Sequence, residues 1–183
     1  MIEAIIGIVG TLLGTILGWV LGRVDFGRLT TAFNNTVYEF SVPGSMCSIP
    51  GVKSNEVNLY KIGTTMQLYN SSNTNRVVRN VQFVFCDEKN DLLSVDAADD
   101  ETRQNIPHSI RYENMEIANI PACTGIDLKI HVYTEDIDQV LKTKKIYIQY
   151  KNQRLKTKRV LLKTVDYSKQ PRFISLQEDE TNA

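Results

Sequence analysis

The sequence predicts a mostly β domain behind an N-terminal transmembrane helix, and three observations predict it. None of the 21 Lys and Arg or the 21 Asp and Glu residues falls between Ala4 and Gly22, a nineteen-residue run of apolar, Gly, Thr and Trp positions. An uncharged stretch of that length reads as a membrane span rather than as the surface of a soluble domain. After Arg28 apolar residues recur at every second position in short segments, the period of a half-buried strand. Clusters of Asn, Ser, Gly and Pro separate these segments, and no long amphipathic helix interrupts them.

The anchor comes first. Nineteen residues rising 1.5 Å each reach about 28 Å, close to the roughly 30 Å hydrocarbon core of a bilayer. Glu3 flanks one end and Arg23, Asp25 and Arg28 the other, with Trp19 at the headgroup level near the second boundary. A cleaved signal peptide would need a basic n-region, a shorter apolar core and a small-x-small cleavage site, so the segment is expected to stay attached. The arginines after the span place the polar domain on the cytoplasmic side of the cell membrane, in a single-pass topology. Three cysteines, Cys47, Cys86 and Cys123, give no disulfide framework and fit a reducing compartment. Within the span Gly10, Gly14, Gly18 and Gly22 recur at spacing four. Such a stripe lets a second helix approach closely, so a homo-oligomer or a partner helix is expected there.

The polar part resolves into seven expected strands: Thr36–Val42, Thr64–Tyr69, Val77–Phe85, Leu92–Val95, Ile126–Tyr133, Lys145–Tyr150 and Leu155–Val165. Val81, Phe83 and Phe85 share one face of the third, and Ile126, Leu128, Ile130 and Val132 one face of the fifth. Asn70–Asn75 is a polar loop, Asn152–Arg154 a hairpin connection, and Ser94–Arg111 a long polar loop carrying Pro107. Glu135–Lys142 has acids at its start, a lysine at its end and Ile137, Val140 and Leu141 at helical spacing, which predicts one or two helical turns.

Seven short strands with a helical turn before the penultimate one resemble an immunoglobulin-like β-sandwich. The stretch from Leu68-Tyr-Asn-Ser-Ser to Val81-Gln-Phe-Val-Phe is similar to the second strand, turn and third strand of bacterial members of that class. Ile120-Pro-Ala-Cys-Thr-Gly125 resembles the turn that opens their fifth strand. The resemblance covers roughly residues 36 to 165 and lacks the buried Trp and the inter-sheet Cys pair of antibody-type domains. The fold class it implies is mostly β, an N-terminal transmembrane helix followed by a seven-stranded Ig-like β-sandwich, and such a fold implies recognition more often than catalysis. The chain then divides into 1–28, anchor and flank; 29–168, sandwich; and 169–183, a polar and flexible tail.

A formal net charge of zero argues against a dedicated nucleic-acid binder. Charge is nonetheless divided along the chain. Asp87 to Glu101 holds seven acids against Lys89, while Lys142 to Lys163 holds nine bases and no acid. If the last two strands form a hairpin, Lys145, Lys151, Arg154, Lys156 and Lys158 gather toward its turn and outer face as a basic surface, able to meet anionic headgroups. The acidic block lacks the alternation of a calcium loop, so no metal is expected. No nucleophile elbow, P-loop, dinucleotide fingerprint, zincin motif or Cys-x-x-Cys is present, so no catalytic residue and no cofactor is expected. His108 in the long loop and His131 between Ile130 and Val132 are both expected to face water, and Cys86 and Cys123 to be core-edge thiols.

The function these residues support is a membrane-anchored binding or assembly module with a cytoplasm-facing domain. Its partners are the lipid bilayer, a second helix and an unidentified protein. Two alternatives stand beside it: an exported envelope or adhesin-like module on the same anchor, and an enzyme acting on a membrane or nucleic-acid substrate.

Overall fold

A computed structural model of the chain describes residues 7, 10–18, 27–41, 57–107 and 109–167. Residues 10–18 are helical (α1), and Thr11 and Thr15 donate their hydroxyls to the carbonyls of Gly7 and Thr11 at 2.7 and 2.8 Å. Among the described residues no helix is long and apolar enough to cross a membrane. The rest of the expected span, with Trp19 and Gly22, lies outside the described residues, as do Cys47, His108 and the expected tail.

Ten strands follow in two antiparallel sheets. They are β1 (Leu29–Ser41), β2 (Leu59–Asn70), β3 (Arg76–Cys86), β4 (Asp91–Asp96), β5 (Ala98–Ile106), β6 (Ser109–Asn114), β7 (Ile117–Ile120), β8 (Gly125–Thr134), β9 (Lys145–Asn152) and β10 (Thr157–Thr164); one helix, α2 (Ile137–Lys142), sits between β8 and β9. The first sheet has the order β1-β2-β8-β5-β6 and the second β10-β9-β3-β4. β7 pairs with the first four residues of β3, Arg76 to Arg79, and β4 with its second half, Gln82 to Cys86. Asn80, at φ 51°, marks the break between them.

The sandwich is therefore built from ten strands and not from the seven the alternation predicts. The additional ones come from the expected loop Ser94–Arg111 and from Ile117–Ile120. β5 reads Ala-Asp-Asp-Glu-Thr-Arg-Gln-Asn-Ile and shows no apolar period, because beyond Ala98 and Asp99 it pairs only with β6 and leaves the sandwich as a largely exposed ribbon. β1 also starts earlier than expected, at Leu29 rather than Thr36. A bulge between Asn34 and Val37, with Asn35 at φ 52°, shifts the side-chain period midway and hides the first half of the strand.

The core lies between the sheets. β2 buries every even position from Tyr60 to Asn70, and the predicted inner faces of β3 and β9 are buried through Val81, Phe83, Phe85, Ile146, Ile148 and Tyr150. At the end of the sandwich distant from Leu29, the turn after β10 carries Tyr167 back over the first sheet. There it meets Phe40 and Tyr60 edge-on, with ring centroids 5.4 and 5.9 Å away. The Tyr60 and Tyr167 hydroxyls share a hydrogen bond of 2.6 Å, which satisfies both in an apolar setting. Burial pushes both phenols above their ordinary range. Predicted helix residues Ile137 and Val140 are buried, whereas Leu141 is 37% exposed.

Candidate functional site

The basic surface is built where the chain enters the sandwich. Ser71 clamps that entry: its hydroxyl accepts from the Arg28 N–H at 2.9 Å, and its own N–H donates to the Arg28 carbonyl at 3.0 Å. Gly27 lies so close to Ser72 that a Cβ there would overlap the Ser72 backbone, so this entry path requires glycine. Arg76 donates Nε–H to Ser72 Oγ at 3.1 Å and Nη2–H to the Gly27 carbonyl at 3.0 Å, fixing its guanidinium beside the entry. Across from it, Asn152 Oδ1 accepts from the N–H groups of Arg154 and Lys156 at 2.9 and 3.0 Å, and Leu155 takes the left-handed conformation at φ 57°. This turn holds Arg154 and Lys156 outward. The result is a groove of about 370 Å³ whose lining includes Arg28, Arg76, Arg154, Lys156 and Lys158 and, among the described residues, no acidic one.

Four of the five predicted basic residues thus gather at one end, with Lys151 exposed on the ladder next to Thr157. Lys145 does not join them. It pairs with Thr164 at the opposite end of the hairpin, about 20 Å from Lys151 by strand rise. The strands' directions put Asp87, Glu88 and Asp91 of the β3–β4 turn, and Glu135, Asp136 and Asp138 around α2, at that far end too. Bases thus gather at the chain-entry end, whereas the far end mixes these acids with Lys89, Lys142, Lys144 and Lys145.

A second concavity was not legible in the sequence. On the outer face of the first sheet, Gly63 stands in register between Val37 of β1 and His131 of β8. The missing side chain leaves a dent of about 260 Å³, lined by Glu39, Lys61, Thr65, Asp100, Lys129 and His131 among others. His131 is 2% exposed, which corrects the expectation that it faces water. The alternation did place it outward, but β5 and β6 cover it. Its Nδ1 is held by the Asp100 carboxylate, and Tyr112 and Tyr133 meet its ring edge-on at 4.4 and 4.9 Å. Its Nε2 is buried and without a hydrogen-bond partner among the described residues. Lys61 Nζ lies 5.2 Å from the Tyr133 ring centre. Burial alone would lower the Lys61 ammonium, but the Tyr133 hydroxyl and the Glu39 carboxylate raise it above the ordinary lysine range.

A family model described as the YopI Ig-like domain matches residues 27–163, which takes in the sandwich from the Gly27 entry almost to the end of β10. The chain belongs to the YopI Ig-like domain family. A comparison with curated protein sequences gives no significant match. Among solved structures, that of the Bordetella pertussis ApaA protein is 10% identical, with a TM-score of 0.37 over 78% of this chain and 94% of that one. An X-ray structure of a structural genomics consortium target is 11% identical, with a TM-score of 0.30 over 77% of this chain and 83% of that one.

Two thiols of this YopI Ig-like domain differ in setting. Cys86 is buried and donates to Asp91 Oδ1 at 3.1 Å; burial first, and then that carboxylate, push it up to about 11, so it stays a protonated thiol at neutral pH. Cys123, expected at the core edge, is exposed, in the left-handed conformation at φ 55°. Asp91 is in turn gripped by Arg159 through two bonds of 2.8 and 2.6 Å, and this pair, with the Cys86 bond, holds its carboxyl below the ordinary range. A depressed carboxyl stabilises the fold above its unfolded pKa, near 4, and the gain is lost as pH falls through the folded value. Both side chains are substantially exposed, at 35% and 51%. Arg159→Gln is therefore expected to cost no more than about 1 kcal/mol at neutral pH. That difference should shrink toward zero as urea unfolding is repeated at stepwise lower pH.

Among the described residues no group of three His, Cys, Asp or Glu side chains is placed to hold a metal.

Proposed function

We propose that the chain is a membrane-anchored, non-catalytic binding and assembly module. In this reading residues 1–28 are the anchor and its flank, residues 29–168 the Ig-like domain, and residues 169–183 a C-terminal tail. One observation carries this reading: the basic groove surrounds the residues at which the chain enters the domain from its uncharged N-terminal run. Only residues 23–26 separate Gly22 from Gly27, a reach of at most about 17 Å. A domain tethered that closely has its basic end at the headgroups, where each Lys or Arg near an anionic leaflet contributes about 1 kcal/mol. The opposite end, with its mixed charges, then points away from the membrane, toward a protein partner. Arg23 and Arg28 favour a cytoplasmic domain. The assembly part is supported by the glycines at spacing four, Gly10, Gly14 and Gly18 of α1 among them.

The test uses the full-length protein in nanodiscs. Backbone amides of 151–158 are expected to exchange more slowly in anionic than in zwitterionic lipid, and the difference to vanish at about 1 M salt, where screening acts within roughly 3 Å. Changing Arg154, Lys156 and Lys158 to Gln should remove the same protection. Equal exchange in both lipids rejects the docking, extraction of the protein from membranes by alkaline carbonate rejects the anchor, and protease sensitivity on intact cells rejects the cytoplasmic side. Gly14→Ile with Gly18→Ile should weaken self-association in a membrane reporter assay, and unchanged association removes the assembly part.

A further inference from the structure

The glycine in the middle of β2 stands across from the end of the β1 bulge, at Val37, but neither strain nor a clash holds it there. Gly63 does not take the left-handed conformation, and a Cβ would make only ordinary contacts, 3.4 Å from His131 Cβ and 3.6 Å from the Ile130 carbonyl. A strand interior disfavours glycine, and a glycine that neither turns the chain nor avoids a clash marks a place where something else comes close. Here it opens the floor of the outer-face groove, between Val37, which is 67% exposed, and the ring of His131.

The groove's rim says what would fit. Glu39 lies directly across the ladder from Lys61, and Lys129 and Asp100, whose carboxylate holds His131, complete the rim's charges. The rim therefore carries two cations and two carboxylates, and a charged ligand would lose hydration for little net attraction. Ammonium donors, carboxylate acceptors, the Thr65 hydroxyl and the Asn35 amide surround an apolar floor of Gly63 and Val37. Groups that both donate and accept match such a rim, and hydroxyls do both. The volume sits at the small end of ligand sites. One wall is fixed: Asp100 and the two tyrosines hold His131, whose buried Nε2 has no hydrogen-bond partner among the described residues.

We propose that the Gly63 groove binds a neutral, hydroxyl-rich ligand the size of one sugar ring. The site lies on the first sheet's outer face and does not depend on the basic groove or on the anchor.

The experiment uses full-length protein in zwitterionic nanodiscs and ligand-observed saturation-transfer NMR, with glucose, N-acetylglucosamine and myo-inositol as probes and glucuronate and glucosamine as charged counterparts. At least one neutral probe should give a saturable signal. Gly63→Ala, whose methyl the fold accommodates, should weaken it roughly tenfold, as one added carbon does in a fitted pocket. Thr65→Val should weaken it as well, with the thermal midpoints of both variants at the wild-type value. Absence of a saturable signal from every neutral probe, equal binding by Gly63→Ala, or tighter binding of a charged counterpart overturns the proposal.

Discussion

Replacing Asn70 by alanine is expected to lower stability by about 3–5 kcal/mol, a large part of the margin of a small domain. The side chain is fully buried at the chain-entry end of the sandwich. Its amide donates to the carbonyls of Thr74, Ile120 and Pro121 at 2.9, 3.2 and 2.9 Å, and its Oδ1 accepts from the Ser72 N–H and hydroxyl at 3.0 and 2.6 Å. Alanine takes a partner from the buried Ser72 N–H and Ile120 carbonyl, each at roughly 1–3 kcal/mol, and unties the loops that the amide bridges, although the Thr74 and Pro121 carbonyls keep the Ser72 and Thr124 hydroxyls. Asn70→Asp separates the chemistry from the volume. An ionised carboxylate would face three carbonyl oxygens, so its pKa must rise in the folded state. A raised acid stabilises only below its unfolded pKa, and the contribution is lost as pH climbs through the folded one. Urea unfolding should therefore find Asn70→Asp as weak as Asn70→Ala at pH 7, and recovering toward pH 4. A loss below about 1 kcal/mol in both variants would mean the loops hold each other without this side chain.

Phe85→Ala should cost about 3–5 kcal/mol through a different route, the loss of buried apolar surface and the cavity left behind. Phe85 is 0% exposed, pairs across the ladders with Leu93 and Ile146, and meets Tyr60 edge-on at 6.0 Å. Tyr60 in turn meets the Phe40 ring at a tilt and the Tyr167 ring edge-on, so the void opens into the cluster that closes the far end. Leu161→Ala, on a side chain 47% exposed on β10, is the control and should stay within about 0.5 kcal/mol. Equal losses at Phe85 and Leu161 would contradict the assignment of the core.

These two residues also show what was readable from sequence. Phe85 belongs to an alternating run, Val81-x-Phe83-x-Phe85, and such a run reports its own burial because period and face are linked. The same link located β2, β8, β9 and the helical turn at Ile137 and Val140. Asn70 was read only as the first residue of a polar loop; that its amide ties three chain segments together depends on Ile120 and Pro121, fifty residues away, and no local pattern carries that. His131 failed for a related reason: its outward place in β8 was legible, but its cover comes from Asp100 of β5, a polar strand with no apolar period, and from Tyr112 of the six-residue β6. The basic hairpin was legible as a hairpin, since Asn152-Gln-Arg154 is turn chemistry, whereas its meeting with Arg28 and Arg76 required the topology. Gly63 gave a signal that went unused, an isolated glycine between two apolar-alternating residues.

β1 begins two residues after Gly27 and runs up the whole edge of the first sheet, paired with β2 from Leu29 to Ser41. A pull on the residues before Gly27, resisted at the far end, acts along that strand and across hydrogen bonds that lie perpendicular to it. The bonds of the ladder then share the force in shear instead of opening one by one like a zip. The entry strand is thus oriented as a mechanical tether.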